Sequence, residues 1–286
     1  MAERIGVVGL GAMGGAFAAN LIKNGFNVSG FDPSESCCAA LREAGGEVTT
    51  LEDVAKNCGV IILSLPSVKA LEANLAVITP AAAAGTILVE TSTLAVEDKV
   101  RLNRTLESSG IIMLDSPVSG NGARAKNADI SIYLSGDEAA AKQVIPIVQA
   151  FSNEQDYLGE FGNGMKMKCA TNMMVAIHIA AAAEGMLLAT RYGLPAQMAH
   201  SVLMKSGASS MQLKSRGPSM VDQKFTPAKM SSTLFLKDLG IIQDALEATG
   251  LKASMFEAAL NLYHETANAY PEEDTAAVYN VINKMG

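Results

Sequence analysis

Four cysteines and three histidines are all the thiol and imidazole ligands that this chain of 286 residues offers to a metal ion. Cys37, Cys38, Cys58 and Cys169 follow no zinc-ligand spacing, and His178, His200 and His264 are scattered, so no metal site is expected. Basic residues are also short: 22 Lys and Arg stand against 29 Asp and Glu, a formal net charge of −7. A nucleic-acid surface needs the opposite sign to meet phosphate, and no basic block or aromatic ladder is present, so that class of partner is excluded. No signal peptide is visible, because Met1-Ala2-Glu3-Arg4 leads straight into an apolar run. A cytoplasmic protein with free thiols in a reducing compartment is the expectation. The apolar stretch Met173 to Ala183 is interrupted by His178 and flanked by Lys168 and Glu184. It is too short to cross a bilayer and reads as a buried helix, so no membrane association is expected. What the chain does have is a packed globular composition, 49% hydrophobic and 18% charged. Its length suits two domains.

Directly behind the apolar run Ile5 to Val8 stand Gly9-Leu10-Gly11-Ala12-Met13-Gly14. A G-x-G-x-x-G alone is a weak signal. Here a strand precedes it, a helix from Gly15 to Lys23 follows, and a second strand ends in Asp32, eighteen residues past Gly14. That layout is the dinucleotide-binding βαβ unit. Gly9 allows the tight turn, Gly11 lets backbone approach the pyrophosphate, and Gly14 allows close helix–strand packing. The helix N-terminus offers N–H groups and a positive dipole end to the phosphates. Asp32 accepts hydrogen bonds from the adenosine ribose and repels a 2′-phosphate, and Pro33-Ser34-Glu35-Ser36 supply no cation to hold one, so NAD is favoured over NADP. Asp32 also suits a plain turn ahead of Pro33, and both roles are compatible.

The first half alternates strand and helix patterns, as parallel α/β architecture does. Strands are predicted at Ile5–Val8, Val28–Phe31, Val60–Leu63, Thr86–Glu90, Ile111–Leu114, Ile130–Ser135 and Asp156–Leu158. Helices are predicted at Ser36–Ala44, Leu51–Lys56, Val68–Leu75 and Val96–Ser108. After about Gly162 strand patterns stop and Ala-, Met- and Leu-rich helices take over: Met165–Tyr192, Ala196–Lys205, Thr233–Thr249 and Ala253–Asn268. The expectation is a Rossmann-type, doubly wound and mostly parallel sheet over residues 1–162, then an all-helical domain over 163–286. The helix over about 165–192 serves as the link. It is apolar over more of its circumference than one domain face needs, which points to burial between protomers.

Ligands in open α/β sheets sit beyond the carboxyl ends of the strands. Leu65-Pro66, Thr91-Ser92-Thr93, Asp115 to Gly122 and Gly162-Asn163-Gly164 all fall at such ends. Their hydroxyls and backbone N–H groups suit an anionic ligand, although each alone reads as an ordinary turn. Lys168 and Asn172, four residues apart, share a helix face among Met165, Met167, Met173 and Met174. A desolvated lysine has a lowered pKa and serves as acid or base, while Asn172 can orient substrate oxygens. A solvated Lys–Asn face is the plainer alternative.

Four separated motifs resemble those of the β-hydroxyacid dehydrogenase family. They are Gly9-Leu10-Gly11-Ala12-Met13-Gly14 with Asn20-Leu21; Asp115-Ser116-Pro117-Val118-Ser119-Gly120; Gly162 and Gly164 with Lys168 and Asn172; and Lys237-Asp238-Leu239. The resemblance implies that Lys168 is the acid/base and that Asn172, Ser119 and Gly120 hold a small carboxylate-bearing substrate. It also implies that Lys237 closes over the cofactor and that Leu65, Pro66 and Thr93 lie in cofactor-contacting turns. Homodimers or homotetramers are implied as well. The sequence departs from the family pattern at Asn121, where a second glycine is usual, at Thr171 of the usual Asn-Asn pair, at Asn127-Ala128-Asp129, and at Glu90, where aspartate is usual. Asn121 thus joins the substrate-binding candidates, as does Lys237.

The expected activity is NAD-dependent oxidation of a small 3-hydroxy acid. Asn121, Arg124, Lys126 and Asn127 suit a polyhydroxylated acid, and His178 to Glu184 with Glu272-Glu273-Asp274 resemble the four-carbon sugar-acid branch, such as L-threonate dehydrogenases. A 3-hydroxyisobutyrate-like substrate, or serine, is the nearest alternative. Others are NADPH-dependent reduction of glyoxylate or succinic semialdehyde, imine reduction, and a non-catalytic dinucleotide-binding protein.

Overall fold

The computed structural model describes residues 4–285. The chain divides into two compact units, one ending at Lys168 and one beginning at Cys169, and the division falls inside a single long helix.

The first unit opens with β1 (Arg4–Val8), α1 (Gly14–Lys23), β2 (Asn27–Phe31), α2 (Glu35–Glu43) and β3 (Glu47–Val48). It continues through α3 (Leu51–Asn57), β4 (Val60–Leu63), α4 (Val68–Ala81), β5 (Ile87–Glu90), α5 (Val96–Thr105) and β6 (Ile112–Asp115). These six strands form one sheet in the order β3-β2-β1-β4-β5-β6, every neighbouring pair parallel. That is the doubly wound order, whose switch point lies between β1 and β4. Strand β4, Val60-Ile61-Ile62-Leu63, is apolar throughout because both its faces are covered. Val60 and Ile62 enter the core beneath α1, with Ile5, Val7 and Phe17, while Ile61 and Leu63 pack with Leu71, Leu75 and Leu102. Phe17 stacks on Phe151 at 4.5 Å between ring centroids.

The strand expected at Ile130–Ser135 is present and belongs to a second, smaller sheet. Beyond β6 the chain forms β7 (Val118–Ser119), α6 (Gly122–Ala125), β8 (Ser131–Leu134), α7 (Glu138–Val148) and β9 (Glu154–Tyr157). These strands make a separate three-stranded sheet, β7-β8-β9. Strand β7 runs antiparallel to β8, so the chain has reversed and cannot continue the parallel series. An Asp115–Ser135 bridge ties the edge of β6 to this small sheet.

The long helix α8 (Asn163–Arg191) leads into the second unit, made of α9 (Ala196–Leu203), α10 (Met211–Asp222), α11 (Ser232–Thr249), α12 (Ser254–Ala269), a 3-10 turn at Thr275–Ala277 and α13 (Val278–Met285). Its core centres on Phe235 and Tyr263, which meet edge to face at 5.1 Å. Asp274 anchors the lower part, pairing with Arg216 at 2.9 Å and accepting from the Lys229 backbone N–H. The apolar stretch in α8 expected to be buried is covered only in part. Its most apolar 18-residue window, of mean hydropathy 1.6, is long enough by composition to cross a membrane, yet only 33% of it is buried.

Candidate active site

The glycine turn is built by close backbone contact. Gly9 has φ of 86°, and a Cβ there would run into the Ser64 carbonyl, while one on Gly14 would strike the Gly9 carbonyl. Around Gly11 a Cβ would meet nothing within 4 Å, so that flank is open. Helix α1 has no side-chain cap at its start. An open flank beside an uncapped helix N-terminus fits a pyrophosphate.

Asp32 clamps this turn. Its Oδ2 accepts from Leu10 N at 2.7 Å and its Oδ1 from Ser34 N at 2.8 Å. The turn role is therefore real, and each carboxylate oxygen keeps a further lone pair for a ribose hydroxyl. A cavity of about 550 Å³ beside the turn is lined by Gly11, Ala12, Ser36, Cys37 and Lys126, among others. Lys126 is a cation that the residues following Asp32 gave no hint of, since it arrives from a loop more than ninety residues downstream.

The neighbouring strand ends are stitched together. Leu65 N donates to Ser92 Oγ at 2.8 Å, Thr91 Oγ1 donates to Leu63 O at 2.7 Å, and Ser92 N donates to Glu90 Oε1 at 2.9 Å. Leu65-Pro66 and Thr91 to Thr93 thus form one rigid edge, with Leu65 and Thr93 half-buried and Pro66 exposed.

The start of α8 is pressed onto β6 and β8. A Cβ on Gly164 would lie 2.7 Å from Tyr133 O and 2.8 Å from Asp115 O. Met165 N donates to Asp115 Oδ2 at 2.8 Å, and Gly164 N to Ser135 Oγ at 2.9 Å. Behind Asp115 sits a residue that the sequence reading missed. Lys99 Nζ lies 2.6 Å from Glu90 Oε2 and 2.7 Å from Asp115 Oδ1, and all three side chains are wholly buried. Burial pushes the Lys99 ammonium down, but Asp115 and Glu90 together outweigh it and hold the group above its ordinary value. A signal existed: Lys99, Leu102 and Leu106 recur at i, i+3 and i+7, the buried stripe of an amphipathic helix.

Lys168 follows Met165 by three residues and is buried, 7% exposed, as is Asn172 one turn on. The two share a helix face, as their spacing predicts. Within the second unit Asn172 Nδ2 donates to Asp238 Oδ2 at 3.3 Å, and Lys237 Nζ stands 3.5 Å from Asp238 Oδ1. Asp238 is buried, so Lys237-Asp238 is no plain surface pair.

Ser119 lies in β7 opposite Ser131, and Gly120 is exposed beside it. The polar cluster that follows is largely tied to itself. Asn121 Oδ1 caps α6 by accepting from Arg124 N at 3.1 Å; Arg124 grips Asp129 through two bonds; Asn127 Nδ2 donates to Ala123 O. Asn20, adjoining the glycine motif, holds this segment from below, donating to Ala125 O at 2.8 Å. Among the described residues no group of three or more His, Cys, Asp or Glu is placed to hold a metal ion.

Two family models together match residues 4–282. The first, the NAD binding domain of 6-phosphogluconate dehydrogenase, spans residues 4–161. The second, the NAD-binding domain of NADP-dependent 3-hydroxyisobutyrate dehydrogenase, spans 162–282. The chain belongs to the β-hydroxyacid dehydrogenase family. It is 30% identical to the L-threonate dehydrogenase of Pectobacterium atrosepticum over 98% of this chain and 94% of that protein. It is 29% identical to a probable 3-hydroxyisobutyrate dehydrogenase of Mycobacterium tuberculosis, over 97% of each. A solved Mycobacterium tuberculosis 3-hydroxyisobutyrate dehydrogenase with L-serine superposes with a TM-score of 0.90 at 29% identity, covering 99% of both chains. This β-hydroxyacid dehydrogenase is therefore an NAD(P)-dependent 3-hydroxy acid dehydrogenase with a Rossmann-type N-terminal unit and a helical C-terminal one.

Proposed function

We propose that the enzyme oxidises a four-carbon sugar acid such as L-threonate, with NAD as its preferred cofactor and Lys168 as acid/base. The observation that carries this reading is the burial of Lys168 and Asn172 on one face of α8, at a helix start fixed by Asp115. Full-length similarity to L-threonate dehydrogenases supports the substrate class.

Bound NAD supplies the hydride acceptor. The open flank at Gly11 and the N-terminus of α1, with Leu10, Ala12 and Met13 between the motif glycines, would hold its pyrophosphate, and Asp32 its ribose. Leu65, Pro66, Thr93 and Lys237 are the remaining cofactor contacts in this reading. Lys168 takes the proton from the substrate hydroxyl as general base. Asn172 donates to a substrate oxygen, and Ser119 and Gly120 hold the carboxylate. Asn121 contributes through the α6 cap it makes. Holding both reactants in reach is worth roughly 7–11 kcal/mol, and general base action adds about 10²–10⁴-fold.

A second reading has its own support. Arg124 and Asn127 are engaged locally, which favours a smaller acid, 3-hydroxyisobutyrate or serine. Lys126 in the cavity beside Gly11 favours some use of NADP. The exposed apolar face of α8 supports a homo-oligomer. Nicotinamide absorbance, followed with NAD and NADP against L-threonate, 3-hydroxyisobutyrate and L-serine and with NADH and NADPH against glyoxylate, tests all of these substrate and cofactor choices. Turnover of L-threonate with NAD well above the others is expected; absence of oxidation of any hydroxy acid would sink the proposal.

A further inference from the structure

A lysine sealed between two carboxylates is a costly thing to bury, since apolar residues of the same volume generally pack as well or better. Part of the reason is local. Glu90 and Asp115 sit directly opposite each other on β5 and β6, and like groups in that position repel unless a cation separates them. The connections of the triad reach further. On one side Glu90 Oε1 accepts from Ser92 N at 2.9 Å, and Ser92 Oγ accepts from Leu65 N at 2.8 Å. On the other, Asp115 Oδ2 accepts from Met165 N at 2.8 Å, while Ser135 Oγ bonds both Asp115 and Gly164 N. An unbroken polar chain thus runs from the Leu65 and Thr91–Thr93 edge to the first turn of α8, three residues short of Lys168.

We propose that Glu90, Lys99 and Asp115 are positioning residues that fix the first turn of α8, and through it Lys168, against the turns at Leu65 and Ser92. This rests on the reading of Lys168 as the acid/base. None of the three touches the reacting atoms; they act through backbone N–H groups at the two ends of the chain. Glu90 is the informative member, because its side-chain bonds go to Ser92 and Lys99 and not to α8. A merely local role for it leaves α8 unmoved.

The double variant Glu90→Gln/Lys99→Met removes one carboxylate together with the amine, so no buried ammonium is left facing an amide. Asp115 keeps its bonds from Met165 and Ser135. Five properties are measured: the melting midpoint, the NAD dissociation constant, kcat and KM on the acid that the wild type oxidises, and amide hydrogen exchange over residues 163–168. The network predicts kcat lower by about tenfold or more with KM and NAD affinity within about threefold. It also predicts first-turn exchange faster by at least about tenfold. Should the double variant not fold, Asp115→Asn leaves Lys99 matched to Glu90 and is judged by the same readouts. A lowered midpoint with wild-type kcat and wild-type exchange would overturn the proposal, and so would a fall in kcat with exchange unchanged. If the wild type oxidises none of the hydroxy acids, the functional reading fails, while the exchange measurement still decides whether the Glu90–Lys99 pair is coupled to α8.

Discussion

Two side chains separate chemistry from packing at the scale of single residues. Lys168→Ala removes the amine from a buried helix face without touching the glycine turn or Asp32, so turnover should fall by about 10²–10⁴-fold while NAD affinity stays within about twofold. Stopped-flow turnover alongside a cofactor titration measures both, and a variant retaining more than a tenth of wild-type kcat would remove Lys168 from the proton-transfer role. Cys58 is a packing residue. Burial is the main reason that its thiol is pushed up to about 11, Arg4 lowering it and Glu47 raising it by less. The folded protein therefore holds that proton beyond the ordinary value of 9.0. The stability this contributes is complete below about pH 9 and is lost as the pH climbs towards 11. Melting midpoints across that window should fall less steeply in Cys58→Ala than in the wild type; parallel curves would show that the thiol is not involved.

At the scale of elements, the first turn of α8 is tightly constrained by backbone contact. Gly164→Ala would place a methyl under 3.0 Å from two carbonyl oxygens, neither of which can swing away as a side-chain tip would. A loss of about 1–3 kcal/mol is expected by denaturant titration, with kcat falling alongside because Lys168 is carried on the same turn. Unchanged stability would mean that α8 can lift off β6 without penalty. Elements whose pattern obeys one period were legible in the sequence: β1, α1, β2 and β4 emerge within a residue or so of their expected ends. Others were hidden for identifiable reasons. Helix α7 carries Val144-Ile145-Pro146-Ile147-Val148, which reads as an extended run until Ala140, Val144 and Ile147 are seen packing into the core. Helix α10 contains Gly217-Pro218, a turn signal, but the missing Cβ there lets the His200 ring approach closely. The two-residue strands β3 and β7 are too short for any period to mark them. Lys99 was hidden because α5 is so charged that it reads as a solvated face, although its i, i+3, i+7 stripe was present.

At the scale of the whole molecule, the long helix α8 carries an apolar stripe that the chain's own packing does not cover. Along α8, Met174, Ala181 and Leu188 are all exposed and are spaced by seven residues, which keeps them on one face of a helix to within about 20° per heptad. Met174 is 52% exposed and Leu188 61%, and Tyr192 at the helix end reaches 82%. Single exposed apolar residues need no explanation, but a stripe of this length calls for a cover. In the proposed homo-oligomer a second copy of the same chain would supply it, because a heptad-spaced stripe on one helix can be buried against the same stripe on another about a two-fold axis. Met174→Glu and Leu188→Glu together would set carboxylates against each other across such an axis. Light scattering should then show the wild type as a dimer or tetramer at micromolar concentration and the double variant shifted towards monomer. A wild type that runs as a monomer, or a double variant that keeps the full assembly mass, would mean that this stripe has another occupant.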